Sequence, residues 1–230
     1  EADFKKGGFN AEYGGRLSSV LNVKSREGNQ NSIDGKASIS FLAAQTTIEG
    51  PIENGAWLIS ARRTYLDEAL KFADKQFNTG FLLPYYFYDL QSHIFQNIGK
   101  NSRISISWYL GKDNLYGYDE LALRALWKNN TISASYMHMF NEQLKTELLI
   151  ARSRFDIELG FATNTSEGII EEDFIDDLTF KNNWTYYLNQ KTKLKFGFEY
   201  KDLDFTYNAT DRGDTLFFTH QKPKDVALFI

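Results

Sequence analysis

The stretch Arg103-Ile104-Ser105-Ile106-Ser107-Trp108-Tyr109-Leu110 decides the fold class, because polar and apolar side chains alternate along it. Successive side chains of a β-strand point to opposite faces, so the stretch predicts a strand with one apolar and one polar face. The same alternation recurs around 86–94, 178–186 and 194–200. These segments run for about 10–16 residues, whereas strands of globular proteins usually have about 5–6. Length and alternation together are typical of a transmembrane β-barrel.

The composition agrees with this class and excludes others. The chain has 230 residues, 16% aromatic residues, no cysteine, a net charge of −4 and a mean hydropathy of −0.44. No stretch approaches the roughly 18–20 apolar residues of a membrane-spanning helix, but barrel strands need none because only alternate residues face lipid. The lack of cysteine excludes a disulfide scaffold and a Cys-ligated metal. The acidic balance argues against nucleic acid as a partner, since that partner requires a basic surface.

The connections alternate between short and long, as the periplasmic turns and extracellular loops of outer-membrane barrels do. Short turns are expected near 50–55, 97–101, 141–143 and 189–191, and longer polar connections at 66–83, 114–122, 159–172 and 208–222. We expect strands near 33–41, 42–50, 56–66, 84–97, 101–113, 123–140, 143–158, 173–188, 192–207 and 223–230, with a short helix at 66–77. Because Leu203 and Phe205 break the parity of their strand, a β-bulge is expected near Lys201-Asp202.

A soluble antiparallel sandwich is the alternative, because its strands also alternate. The apolar face, however, is rich in aromatic side chains near strand ends, as expected of interfacial girdles at the edges of a membrane. The opposite face carries charged and amide side chains that suit a watery lumen. The residues expected at the lipid or lipopolysaccharide interface are Arg63, Trp57, Tyr65, Tyr86, Tyr88, Trp108, Trp184 and Tyr186.

Residues 7–29, GGFNAEYGGRLSSVLNVKSREGN, carry a family resemblance. They resemble the end of the plug domain of TonB-dependent outer-membrane receptors, most of all the branch common in Bacteroidota. The blocks EGPI at 49–52 and SARRTYLD at 60–67 are similar to the first periplasmic turn and third strand of that branch. The resemblance covers about the first 70 residues, and beyond them it rests on strand rhythm.

The resemblance implies a domain plan and a function. Residues 1–30 are expected to end the plug, and 31–230 to form about ten strands of a family barrel that has about 22. Such receptors sit in the Gram-negative outer membrane and import a scarce or large ligand, such as a siderophore, cobalamin, glycan or peptide. An inner-membrane Ton complex supplies the energy through an upstream segment. A surface lipoprotein is a further partner if the parent imports glycans. Both ends of the chain look like cuts through a longer protein.

Within this plan, several charged residues are candidates for contact between plug and wall. Arg16 is expected to pair with a carboxylate of the wall, its alternative role being that of a solvated turn residue. The full set of plug–barrel candidates is Arg16, Glu12, Arg62 and Glu199. The lumen-facing candidates are Asp89, Gln91, His93, Arg103, Lys181, Lys193 and Lys195.

Arg62 and Arg63 are adjacent on one strand and therefore face opposite sides. Arg63 falls on the lipid side, where an arginine is costly at the midplane but not near the interface. We expect Arg63 to contact lipopolysaccharide phosphates, with a salt bridge to a neighbouring strand as the equal alternative.

Signals of enzymatic chemistry are weak. The histidines His93, His138 and His220 are scattered without metal-ligand spacing, and no nucleotide-binding or nucleophile motif occurs. We therefore expect neither an enzyme nor a bound metal or cofactor. Two further functions compete with an energised receptor. One is a passive porin-like channel, and the other is a soluble extracellular β-sandwich or adhesin module.

Overall fold

The computed structural model of the chain describes residues 2–14, 18–78, 85–116, 121–163 and 166–230. Nearly all regular structure in these ranges is β-strand. The strands are β1 Ala2–Lys6, β2 Ser19–Val23, β3 Asp34–Ile39, β4 Ala43–Ile52, β5 Gly55–Thr64, β6 Tyr85–Ile98, β7 Ser102–Tyr116, β8 Leu121–Met139, β9 Leu144–Thr163, β10 Ser166–Tyr187, β11 Lys193–Asp211, β12 Asp214–Gln221 and β13 Lys224–Phe229. Within the same ranges there is one α-helix, α1, at Leu66–Phe77, and one 3-10 turn, at Ala11–Tyr13.

The strands form two antiparallel sheets. β1 pairs with β2 in a small sheet near the N-terminus. β3 to β12 then follow one another in a single large sheet, each strand paired with its neighbour in sequence, and β13 pairs with β11 beside β12. This up-and-down order is the predicted one, and the short connections lie where the sequence placed them, for example at Glu53-Asn54. The predicted helix at 66–77 is also confirmed.

Two of the predicted long polar connections are wrong, because strands occupy most of their residues. β9 and β10 extend to Thr163 and from Ser166, so the stretch 159–172 is largely strand. β11 and β12 are joined by two residues only, Arg212 and Gly213, with φ of 52° and 87°. Positive φ at both central residues is the pattern of a type I′ hairpin turn. These strand ends resemble loops in sequence because strict alternation is lost, as at Ile169-Ile170-Glu171-Glu172 and Leu216-Phe217-Phe218, while their backbones still pair.

β12 and β13 are two halves of one edge strand. Phe205 lies opposite Gln221 and Asp202 opposite Lys224, which is the same register. Pro223 interrupts the pairing because it has no backbone N–H to donate, although its carbonyl accepts a bond of 3.0 Å from the Leu203 N–H. The strand expected at 223–230 is thus the second half of an edge strand that begins at Asp214, within the connection predicted at 208–222.

The β-bulge expected near Lys201-Asp202 is absent. Asp202 pairs with Leu178, and Leu203 pairs with Asp177 in the unbroken register of β10 and β11. Leu203 and Phe205 therefore simply lie on the other face of the sheet from Tyr200.

The large sheet has two chemically distinct faces. The inner face is defined here as the face on which the N-terminal segment, residues 2–14 and 18–33, lies. On the outer face, exposed apolar side chains form a band, which comprises Ile59, Ile94, Ile104, Ile106, Trp108, Ile132, Ile150, Leu178 and Phe198. The inner positions of the same strands are mostly polar. No helix in the described ranges is long and apolar enough to cross a membrane.

Candidate functional site

The N-terminal segment is attached to the inner face by side chains just after β2. Arg26 donates a hydrogen bond of 2.8 Å to the Glu49 carboxylate on β4. The Glu49 side chain is only 6% exposed, whereas that of Arg26 is 56% exposed. A buried carboxylate without a partner is costly, so Arg26 offsets a charge that the wall would otherwise leave unpaired.

Glu27, the next residue, makes a bidentate contact three strands further along the sheet. The Arg103 guanidinium on β7 donates hydrogen bonds of 2.6 and 3.1 Å to the two carboxylate oxygens of Glu27. The guanidinium also lies 3.8 Å from the ring centroid of Phe95, which is 1% exposed. Beside this contact, the Gln91 amide donates a bond of 2.8 Å to the Ser25 hydroxyl. Three consecutive residues, Ser25 to Glu27, thus bind three different strands.

Gly28 allows this close approach of the two backbones. Its φ is +93°, and a Cβ atom at this position would lie 2.7 Å from the carbonyl oxygen of Trp57. Only glycine adopts this conformation without strain and leaves room for the neighbouring backbone. Ala56, the residue before Trp57, is fully buried beneath the segment.

A second attachment joins the 3-10 turn to the far side of the sheet. The Lys195 ammonium on β11 lies 2.7 and 2.8 Å from the Glu12 carboxylate oxygens. Lys181 on β10 donates a bond of 2.9 Å to the Glu12 carbonyl and lies 3.0 Å from the Glu199 carboxylate. The ring of Tyr13 lies 5.8 Å beneath the same Lys181 ammonium. Lys181 therefore links Glu199 to the turn.

Burial and charge act in opposite directions on Glu12. Desolvation is the largest influence and raises its pKa, but the hydrogen bond and charge of Lys195 outweigh it, so the pKa lies below the ordinary value of 4.5. The carboxylate is thus charged at neutral pH although its side chain is only 10% exposed.

The register places all the predicted lumen-facing residues on the inner face. Gln91, Arg103, Lys181 and Lys195 contact the N-terminal segment directly. The remaining ones share the parity of these four on β6 and β11 and make no described contact with the segment; they are Asp89, His93 and Lys193. The His93 ring nitrogen instead forms a hydrogen bond of 2.8 Å with the Ser107 hydroxyl. That this face lines a watery lumen stays a prediction.

The four predicted plug–barrel residues have different positions. Glu12 and Glu199 lie at the turn contact described above. Arg62 pairs within the wall, 2.7 Å from the Asp89 carboxylate, and reaches no described residue of the N-terminal segment. Arg16 lies outside the described residues.

The outer-face candidates lie on the face that their parity predicted, except Tyr65, which lies beyond the end of its strand. Arg63 is exposed on the outer face of β5, forms no ion pair with a described carboxylate and lies 5.7 Å from the Tyr86 ring. The alternative salt bridge of Arg63 to a neighbouring strand is therefore not formed in the described part of the chain. The aromatic residues with the outward parity are Trp57, Tyr86, Tyr88, Trp108, Trp184 and Tyr186. Tyr65 follows the end of β5, and its hydroxyl donates to the Ser40 carbonyl.

Sequence reasoning missed Arg26, Glu27 and Glu49 as contact residues. Glu49 was recognised only as part of the EGPI block, and Arg26 and Glu27 only as part of the family pattern. One signal could have found Glu49, since a lone carboxylate at an inward position next to a short turn needs a counter-charge.

Comparison with known proteins identifies a similar fold. No protein-family model and no curated protein sequence matches the chain. Its structure is similar to that of the ferric yersiniabactin uptake receptor FyuA from Yersinia pestis, with a TM-score of 0.51 and 10% sequence identity. The match covers 81% of this chain and 34% of that receptor, so the chain spans about a third of the receptor's length. At this identity the similarity concerns the fold, and it confirms the predicted all-β, antiparallel barrel class.

Proposed function

We propose that this chain is part of an energised receptor in the Gram-negative outer membrane, which imports a scarce or large ligand. In this proposal residues 1–30 end a plug domain and residues 31–230 form the first part of the barrel wall. The resemblance of residues 7–29 to a plug end and the fold similarity to an uptake receptor support it. The ligand class stays open among siderophores, cobalamin, glycans and peptides.

One observation carries the proposal: the N-terminal segment crosses the inner face and is held there by charges. Glu27 binds Arg103 on β7, and Glu12 binds Lys195 on β11. A passive channel has no need for a segment bound across its inner face. A soluble sandwich would cover that face with a second apolar sheet, whereas here a single segment is held mainly by ion pairs and hydrogen bonds, with Ala56 and Phe95 as local apolar contacts.

The chemistry of these contacts also fits a segment that must be released. The most exposed side chains in the two ion pairs, Glu27 and Lys195, are 49% and 34% exposed. A partly exposed ion pair is weaker than a fully buried one, because water replaces the partner when the pair separates. Under the proposed function, a Ton complex that pulls on the upstream chain would break such contacts without exposing a large apolar surface.

The first test is the mobility of the natural full-length protein in a gel, from outer-membrane fractions, with and without boiling. We expect a compact, fast band that slows on boiling, as a closed detergent-resistant barrel gives. Uptake of radiolabelled ferric siderophores and cobalamin is then measured in cells with and without a protonophore, against cells that lack the gene. Uptake that the protonophore abolishes supports the receptor. Uptake that persists identifies a passive channel, and equal mobility in a water-soluble fraction identifies a soluble module.

A cross-link tests whether the inner-face contact must open during import. These 230 residues contain no cysteine, so the variant Glu27→Cys/Arg103→Cys, made in the full-length protein with any cysteine outside them replaced by serine, carries a single thiol pair for a short bifunctional thiol reagent. We expect the cross-linked variant to lose protonophore-sensitive uptake of whichever of those labelled compounds the unmodified protein imports. The matched control, Ser105→Cys/Ser135→Cys, joins two paired wall residues on β7 and β8 and should import normally after cross-linking. Normal import by the cross-linked test variant would contradict the proposed release of the segment.

A further inference from the structure

The outer face carries a row of three cations that the inner-face contacts do not use. Arg63 lies opposite Tyr88, Tyr88 opposite Lys112, and Lys112 opposite Lys128 on four adjacent strands. We call Arg63, Lys112 and Lys128 the basic row. Neighbouring strands are about 4.8 Å apart, so the row spans about 15 Å.

The basic row is unbalanced within the described part of the chain, where none of its three residues forms an ion pair. Lys112 and Lys128 are directly opposed across β7 and β8, and like charges in this position destabilise a sheet. Asp156 lies on the other side of Lys128, but Arg154 holds its carboxylate at 2.8 Å.

The outer-face charges of the next strands provide an internal comparison. Arg152 lies 2.8 Å from the Asp176 carboxylate, and Lys222 lies 2.9 Å from that of Asp204. The cations in this part of the outer face are neutralised by carboxylates of neighbouring strands, whereas the cations of the basic row are not. An anion from outside the chain would supply the missing charge.

The basic row lies at a defined distance from the short turns. Ser102 begins β7 at a short turn, and Lys112 lies ten residues further along that strand. At about 3.4 Å per residue and a tilt of about 45°, this separation corresponds to about 24 Å along the membrane normal. The apolar band of an outer-membrane barrel is about 25 Å tall, so the row falls at the level of the outer headgroups.

An apolar groove begins next to Arg63 and runs below the basic row. Small outer-face residues on β3, β4 and β5, namely Ala37, Thr46 and Ala61, stand in one cross-strand row with the larger Leu90 and Leu110. The step from small to large side chains leaves a groove of about 570 Å³, and Arg63 is part of its lining. A cation at one end of an apolar groove matches an amphiphile with an anionic head and an acyl chain.

We propose that the basic row and this groove form a binding site for a phosphate-bearing lipid of the outer leaflet, with phosphates at the basic row and an acyl chain in the groove. Guanidinium and ammonium groups bind phosphate oxygens through charge-assisted hydrogen bonds. The site rests on the membrane placement in the proposed function but is independent of ligand import. It explains how Arg63 is accommodated on a lipid-facing position.

The test uses the natural full-length protein in detergent and bis-phosphorylated lipid A as the probe, with bound lipid measured by native mass spectrometry. The variant Arg63→Ala/Lys112→Ala/Lys128→Ala should bind about 100-fold more weakly, since each cation near an anionic lipid surface contributes roughly fivefold. The charge-matched control, Lys100→Ala/Lys145→Ala/Lys191→Ala, lies at the short-turn end and should bind normally. Unchanged binding by the first variant, or equal loss in the control, would overturn the site.

The groove is tested separately by Ala61→Trp, which fills it and leaves the basic row intact. Binding of lipid A should weaken, while binding of its deacylated form should not change. Ala134→Trp, on the outer face of β8 away from the groove, is the control. Inorganic phosphate and deacylated lipid A are also compared as competitors of lipid A. If both displace lipid A equally well, the site binds a free anion and the lipid assignment is overturned. The shift in gel mobility on boiling separates the two proposals, because a heat-sensitive barrel that binds no lipid A refutes this site alone.

Discussion

Neutralising Glu12 should loosen the attachment of the 3-10 turn to the wall. Glu12→Gln keeps the shape of the side chain but removes the charge that Lys195 binds at 2.7 and 2.8 Å. A hydrogen bond between charged groups contributes about 1.5–3 kcal/mol. Because the Lys195 side chain is 34% exposed, solvent screening places the loss near the lower end, at about 1.5 kcal/mol. The free energy of local opening should fall by this amount, and opening should become about tenfold more frequent.

Hydrogen exchange of the Tyr13 backbone N–H measures this opening. That N–H donates a bond of 3.0 Å to the Asn10 carbonyl within the turn, so it exchanges only when the turn opens. The control Lys193→Gln removes a charge from the same strand and face, at a residue with no described contact to Glu12. Exchange in Lys193→Gln should match the unmodified protein.

A double-mutant cycle shows whether the effect belongs to the pair. Lys195→Gln alone should accelerate exchange about as much as Glu12→Gln, and the two changes together should add little more. Fully additive effects, or equal acceleration by Lys193→Gln, would refute the view that this ion pair holds the turn.

Three further predictions concern the same segment. Because the pKa of Glu12 is depressed, the charged carboxylate stabilises the turn above pH 4.5, and this stabilisation is lost as pH falls through the lower pKa of the folded state. Tyr13 exchange, corrected for intrinsic rates, should therefore be constant from neutral pH down to about 4.5 and should accelerate at lower pH. Gly28→Ala should weaken the attachment by about 1–3 kcal/mol in hydrogen exchange of neighbouring amides, whereas Gly7→Ala, which also has positive φ but open space around it, should leave those amides unchanged. Phe95→Ala should remove about 3–5 kcal/mol from the free energy of unfolding, measured by denaturant titration of the gel-mobility shift, because the side chain is 1% exposed.

The strand order was predictable from sequence because one physical rule, period-two alternation, governs most of the chain. It fails where alternation is lost, and Glu171-Glu172 shows why. These residues belong to β10 although their side chains give no alternation. Their backbone groups pair with β9 and β11 whatever the side chains are, so the pairing leaves no trace in hydropathy. Leu203 shows the opposite case, since a broken alternation there marks no break in pairing.

The contact residues were less predictable than the face on which they lie. Parity alone places Arg103 and Lys195 on the inner face, because only a choice between two sides is needed. Their partners Glu27 and Glu12 are 76 and 183 residues away in sequence, and no local rule specifies such a pairing. The large separation follows from topology, because a segment that precedes the sheet can reach any strand of it.

The order of the contacts along the chain has a mechanical consequence under the proposed function. A pull transmitted from upstream loads the pairing of β1 with β2 first. Once β1 detaches, the load reaches Glu12 before Arg26 and Glu27, because Glu12 precedes them in sequence. The attachment at Lys195 would therefore break before the one at Arg103. The pull would then have to supply the energy of one attachment at a time and not the sum of both. The second attachment has more components, because bonds of Arg26 to Glu49 and of Gln91 to Ser25 flank the Glu27–Arg103 contact and Gly28 places the backbone directly against Trp57. A limited pull would then free the turn from β10 and β11 while the segment stays anchored on β4, β6 and β7.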